Sequence, residues 1–146
     1  MNWTDKCVLE LTHLNLFESE GHRQRFRDLL SCYYPMAFFT KGLCKCMYVS
    51  SWDEEHFLVI LEILNGMMLD NAKNLNLMKD QGEMLEQQVE TNFDTEVYRL
   101  SNAFLNDSRY DIPDLGIFDA EGAHIIRQSL KAAQCIDDLP EVHSEA

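Results

Sequence analysis

Residues 51–69, SWDEEHFLVILEILNGMML, narrow most sharply what this chain can become. Ser51 and Glu54 have the spacing of a capping box, in which a serine hydroxyl and a glutamate three residues on satisfy each other's backbone donors. The helix they announce runs over about 52–69, with Phe57, Ile60, Leu61, Leu64, Met67 and Met68 covering nearly the whole circumference. A helix that is apolar all round must be covered on every side, so this one is expected at the centre, with the others packed around Phe57 to Met68. Its longest apolar run, Phe57 to Leu61, stops at Glu62 and is far too short to span a bilayer.

The rest of the chain supplies those other helices. Its 146 residues suit one domain, and a chain of that length buries roughly 68–70% of its unfolded surface. Thr4 can cap a first helix to about Phe17, with Trp3, Cys7, Leu11 and Leu14 on one face. Ser19 offers a second cap, after which Phe26, Leu29, Leu30, Tyr33 and Tyr34 keep helical spacing until Pro35. Residues 36–50 are ambiguous: Met36, Phe39, Leu43 and Met47 follow a helical period, but Gly42 and the aromatic content leave room for a turn or short strand. A mobile connection is expected over 70–82. Residues 83–105 read as one long helix or two, with a break and new cap near 92–94. A loop over 106–118 contains Pro113 and Gly116, and Asp119 caps a last helix to about Cys135. The expected fold is all-α: a compact single-domain bundle of five or six helices over 1–137, with a frayed acidic tail over 138–146.

Five cysteines in a chain whose start carries Asp5 and Glu10, not the basic and apolar stretches of a signal peptide, point to reduced thiols and a cytoplasmic protein. Core packing is the expected role of Cys7, Cys32 and Cys135. Cys44 and Cys46 have one residue between them, whereas structural zinc sites use pairs two to four apart. Only a turn would let both thiols reach one ion; the reading preferred here is a sulfur-rich turn leading into the capped helix. No Cys-x-x-Cys redox pair is present.

A second candidate chemistry is acid-x-x-His. Glu10/His13, Asp53/His56 and Glu121/His124 each place a carboxylate and an imidazole on one helix face, as the helices of di-iron bundles do. Such a site also needs lone inward glutamates, and only Glu62 fits. No phosphate loop, nucleophile elbow or H-E-x-x-H motif occurs. The one basic cluster, His22 to Arg27, reads as arginines pairing with Glu18, Glu20 and Asp28 on an amphipathic helix.

The charge is more informative. The net charge is −13, which repels nucleic acid and anionic membranes. Residues 1–79 hold 10 acids and 8 bases, and residues 80–146 hold 15 acids and 4 bases. Glu83, Glu86, Glu90 and Asp94 recur at spacings of three and four, with Glu96, Asp107, Asp111 and Asp114 following. On an unbroken helix the first four form a carboxylate row, with charges about 5–6 Å apart. The plain alternative is a solvated helix face. Like charges at that spacing cost a few tenths of a kcal/mol each, roughly, which gives weight to a basic partner that would relieve them. Tyr98, Tyr110 and Phe118 are candidate aromatic anchors beside it.

Three stretches, LFESEGHRQRFRDLL (16–30), CMYVSSWDEEHFLVILEILN (46–65) and LSNAFLN (100–106), resemble a family of small helical proteins from gut Firmicutes and their mobile elements. The resemblance covers about half the chain and carries over no activity and no site residues. It implies a bacterial cytoplasmic protein with a mobile-element role, such as inhibition of a defence system or neutralisation of a toxin.

Together these readings lead to a non-catalytic acidic module that docks a basic protein, one that itself handles nucleic acid being a natural class. It would use no cofactor or metal and make no direct contact with nucleic acid or membrane, and self-association is compatible with it. The expected contact residues are Glu83, Glu86, Glu90, Asp94, Glu96, Asp107, Tyr110, Asp111, Asp114 and Phe118. The rivals are a metal-dependent helical-bundle enzyme built on the acid-x-x-His pairs, and a structural subunit of an assembly.

Overall fold

The computed structural model describes residues 2–34, 36, 39–54, 56–57, 93–105, 107–112 and 114–142. These form an all-α bundle of helices α1 (Trp3–His13), α2 (Glu20–Tyr33), α3 (Lys41–Ser50), α4 (Phe93–Leu105) and α5 (Ala120–Asp137), with a 3-10 turn at Leu115–Ile117. No described residue lies in a strand.

Helix starts follow from polar side chains that satisfy orphan backbone N–H groups. Ser19 accepts from His22 N at 3.0 Å and Asp119 from Gly122 N at 2.7 Å, both as the sequence suggests. At α1 the cap is Asn2, which accepts from Asp5 N at 2.8 Å, and the Thr4 hydroxyl donates to that same Asn2 oxygen at 2.7 Å. The helix ends at His13, short of Phe17, because Asn15 turns left-handed at φ 56°, a conformation asparagine tolerates better than most residues.

The most enclosed of the five helices is α3. Leu43, Cys44, Cys46, Met47, Tyr48, Val49 and Ser50 are all buried, and the helix packs most extensively on α4 and α5. The strand or turn allowed for 36–50 is thereby corrected from Lys41 onward. The helical period of Leu43 and Met47 prevails there over the breaking tendency of Gly42. Gly42, read as a breaker, is instead the point of closest approach to α4. A Cβ there would fall well inside van der Waals contact of the Phe104 carbonyl oxygen.

The helix expected over 52–69, and with it the expected centre of the bundle, lies outside the described residues beyond Phe57. Its start is corrected. Ser51 is the C-cap of α3, its hydroxyl donating to Met47 O at 2.5 Å, and Asp53 accepts from His56 N at 2.9 Å as the next N-cap. The anticipated break near 92–94 falls at the edge of the described residues, which resume at Phe93.

The frayed tail is also corrected, as far as Val142. Trp3 Nε1 donates to Pro140 O at 2.8 Å and the Tyr34 hydroxyl to Val142 O at 3.0 Å. Lys41 Nζ donates to Leu139 O at 2.6 Å and Asp137 O at 3.1 Å, placing a cation on the negative end of α5. Val142 is buried, and Trp3 stacks on Tyr34 with centroids 6.0 Å apart. The two ends of the described chain are thus joined through α1 and α2.

Candidate docking surface

The link between α4 and α5 carries several exposed carboxylates together with an exposed apolar side chain. Helix α4 closes with Asp107 in the left-handed region at φ 51°, its N–H bonded to Phe104 O at 3.2 Å, and Ser108 N bonded to Ala103 O at 2.9 Å. Beyond it Asp107, Asp111, Asp114, Asp119 and Glu121 are all exposed. Over 107–121 the sole base is Arg109, which pairs with Asp111 at 3.1 Å. Both partners of that pair are strongly exposed, so it contributes little. Asp114 and Asp119 each cap the turn that follows them, which fixes their positions while leaving them at the surface. Among these carboxylates Ile112 stands 61% exposed.

The link is held to the bundle by one buried acid. Glu96 is only 6% exposed; it accepts from the Tyr110 hydroxyl and from Arg99 NH1 at 2.7 Å. Burial, and then the bond to Glu96, raise the pKa of Tyr110, which stays a neutral donor. The expectation that Glu96 is a contact residue is therefore corrected: it is buried, its charge met by Arg99 and Tyr110. Tyr110 is half-buried with its hydroxyl turned to Glu96, so it anchors the loop to its own bundle. Phe118 is also half-buried. Of the other expected contact residues, Asp107, Asp111 and Asp114 lie in this exposed segment and Asp94 lies in α4, while Glu83, Glu86 and Glu90 lie outside the described residues. Ile112 was missed, although a lone apolar residue between Asp111 and Asp114 without helical period was a usable signal.

The groups considered for chemistry serve the fold. Cys44 and Cys46 lie in α3, not in a turn, and point to different neighbours. Cys44 Sγ is 3.9 Å from Cys7 Sγ, and Cys46 lies beside Ser101 and Ser50. Burial holds the Cys44 thiol well above its usual range and pushes Cys46 and Cys135 up to about 11, so these sulfurs stay protonated. Of the acid-x-x-His pairs, Asp53 and His56 meet at 2.7 Å, whereas His124 instead pairs with Glu18 at 2.9 Å. Within the basic cluster Arg23 meets Glu20 at 2.9 Å as expected, but Arg25 donates to Ser51 O at 2.8 Å and Trp52 O at 3.0 Å, closing the end of α3.

His22 is the buried imidazole of this region. Its Nδ1 accepts from Glu18 N at 3.1 Å, so the proton sits on Nε2, which donates to Tyr48 O at 2.9 Å. Burial lowers its pKa from 6.5 to about 4, opposed by the Tyr48 bond and assisted by Arg25. Between these two values the unfolded chain binds a proton that the folded chain does not. Stability is thus whole above about pH 6.5 and declines towards pH 4, by about 2 kcal/mol at pH 5. Urea unfolding at pH 7 and 5 checks this: the wild type should lose about 2 kcal/mol more than His22→Gln across that interval, and equal losses would contradict it.

Comparison with protein-family models, curated proteins and solved structures finds no match to this chain. Among the described residues, no group of three or more His, Cys, Asp or Glu side chains is placed to hold a metal ion, and no helix is long and apolar enough to cross a membrane.

Proposed function

We propose that this chain is a non-catalytic binding module that docks a basic protein surface through the link between α4 and α5. The observation that carries the reading is Ile112, 61% exposed in a segment where Asp107, Asp111 and Asp114 are exposed too. An apolar anchor ringed by charge is how interfaces divide their work: the anchor supplies affinity once water is excluded, and the carboxylates steer the encounter and select a cationic partner. The net charge of −13 repels nucleic acid, so the cationic partner is a protein, and one that binds nucleic acid presents the required positive surface. By occupying that surface the module acts as an antagonist, in keeping with an inhibitor or immunity role in a mobile element. All five cysteines are free, which supports a reducing compartment such as the cytoplasm.

The test uses the full chain as bait in a cell extract, beside Ile112→Ser and the triple variant Asp107→Asn/Asp111→Asn/Asp114→Asn. A basic protein should be retained by the wild type, with affinity about tenfold lower for either variant, the loss expected when one anchor or its charge complement is removed. Equal retention by all three baits would overturn the proposal.

A further inference from the structure

We propose that Cys7 and Cys44 are an oxidative crosslinking site, able to form a disulfide between α1 and α3 in the folded protein. Their sulfurs come from helices 37 residues apart in sequence, lie 3.9 Å apart and are both 0% exposed. A disulfide needs about 2.05 Å between sulfurs, so closing the bond requires them to approach by about 1.9 Å through side-chain rotation and helix movement. Cys135 of α5, 8% exposed, is the third thiol at this junction, so three helices meet on sulfur.

Access comes through α1. Among the described helices α3 packs on its neighbours far more extensively than α1 does, so α1 belongs to the part that opens more readily. Opening exposes Cys7 to a low-molecular-weight disulfide such as oxidised glutathione. The Cys7 thiolate attacks one sulfur of that reagent, giving a mixed disulfide and releasing one small thiol. As α1 closes, the Cys44 thiolate attacks the Cys7 sulfur, the Cys7–Cys44 bond forms and a second small thiol leaves. Two electrons pass from the protein to the reagent, and the two protons end on the departing thiols. Burial holds Cys44 protonated while packed, which makes the second step slow and steeply faster as pH rises. Once formed, the bond is enclosed by the core and shielded from reductants.

The experiment incubates the folded full chain with oxidised glutathione at pH 7 and 8.5, quenches with an alkylating agent and maps the cysteines by mass spectrometry. The expected product is a Cys7–Cys44 peptide pair in protein about 2 Da lighter, formed faster at the higher pH, with a melting temperature raised by roughly 5–10 °C. Cys32→Ser should give the same pair, because the exposed Cys32 takes no part. The proposal is overturned if native protein yields Cys7 and Cys44 as alkylated thiols while Cys32 carries glutathione. It is equally overturned if Cys7 pairs with Cys135, or if the Cys7–Cys44 pair arises only in urea-unfolded chain.

Discussion

Gly42→Val should lower the unfolding free energy by about 3 kcal/mol, the upper end of what overpacking a tight contact typically costs. At Gly42 even a Cβ would be driven into the Phe104 carbonyl oxygen, which is backbone and cannot swing aside. Relief requires α3 and α4 to move apart, and that interface is the most extensive of the described bundle. Replacing a helical glycine would otherwise gain up to about 1 kcal/mol, a gain the clash overwhelms. Gly21→Ala is the matched control. Its nearest new neighbour is the end of the Arg25 side chain, at 3.1 Å and not backbone, so the loss there should be much smaller than at Gly42. Urea denaturation of both variants checks the contrast, and comparable losses at the two positions would show that helix propensity, not contact, governs position 42.

Glu96→Ala should lose about 3 kcal/mol, the lower end of the range for breaking a buried pair, because Arg99 remains 40% exposed. Removing the carboxylate strands the half-buried Tyr110 hydroxyl and frees the start of the acidic link. Amide exchange over 107–112 should quicken along with the global loss. Tyr110→Phe removes the same tie from the other side at about 1 kcal/mol, and the double variant should lose less than the sum, because both changes act on one interaction. Strict additivity would show that Glu96 and Tyr110 do not hold the link together.

Local chemistry made some of this structure readable in advance. Ser19 and Asp119 are caps because a short polar side chain precedes an amphipathic run, and both fall where that rule puts them. The same rule misplaced neighbouring choices: Asn2 and Thr4 compete for one helix start, and Ser51, Asp53 and Glu54 for another, and only the surrounding packing decides. Helix α3 was only half legible: Leu43 and Met47 showed its period, but the use of Gly42 depends on a carbonyl more than sixty positions away. The docking surface was legible as a concentration of acid but not in its details. Glu96 looks like its acidic neighbours until the fold brings Tyr110 over it, and Ile112 gains meaning only once the residues around it are seen to stay at the surface.

The most direct measurement is the association rate constant of the full chain with its purified basic partner as a function of salt. Exposed carboxylates act over a Debye length of about 10 Å at 0.1 M salt and about 3 Å at 1 M. Between about 0.05 and 0.5 M NaCl the wild-type rate should fall by roughly tenfold. For Asp107→Asn/Asp111→Asn/Asp114→Asn it should start lower and fall much less. A wild-type rate that ignores salt, or a triple variant that follows the wild-type curve, would contradict docking through this acidic link.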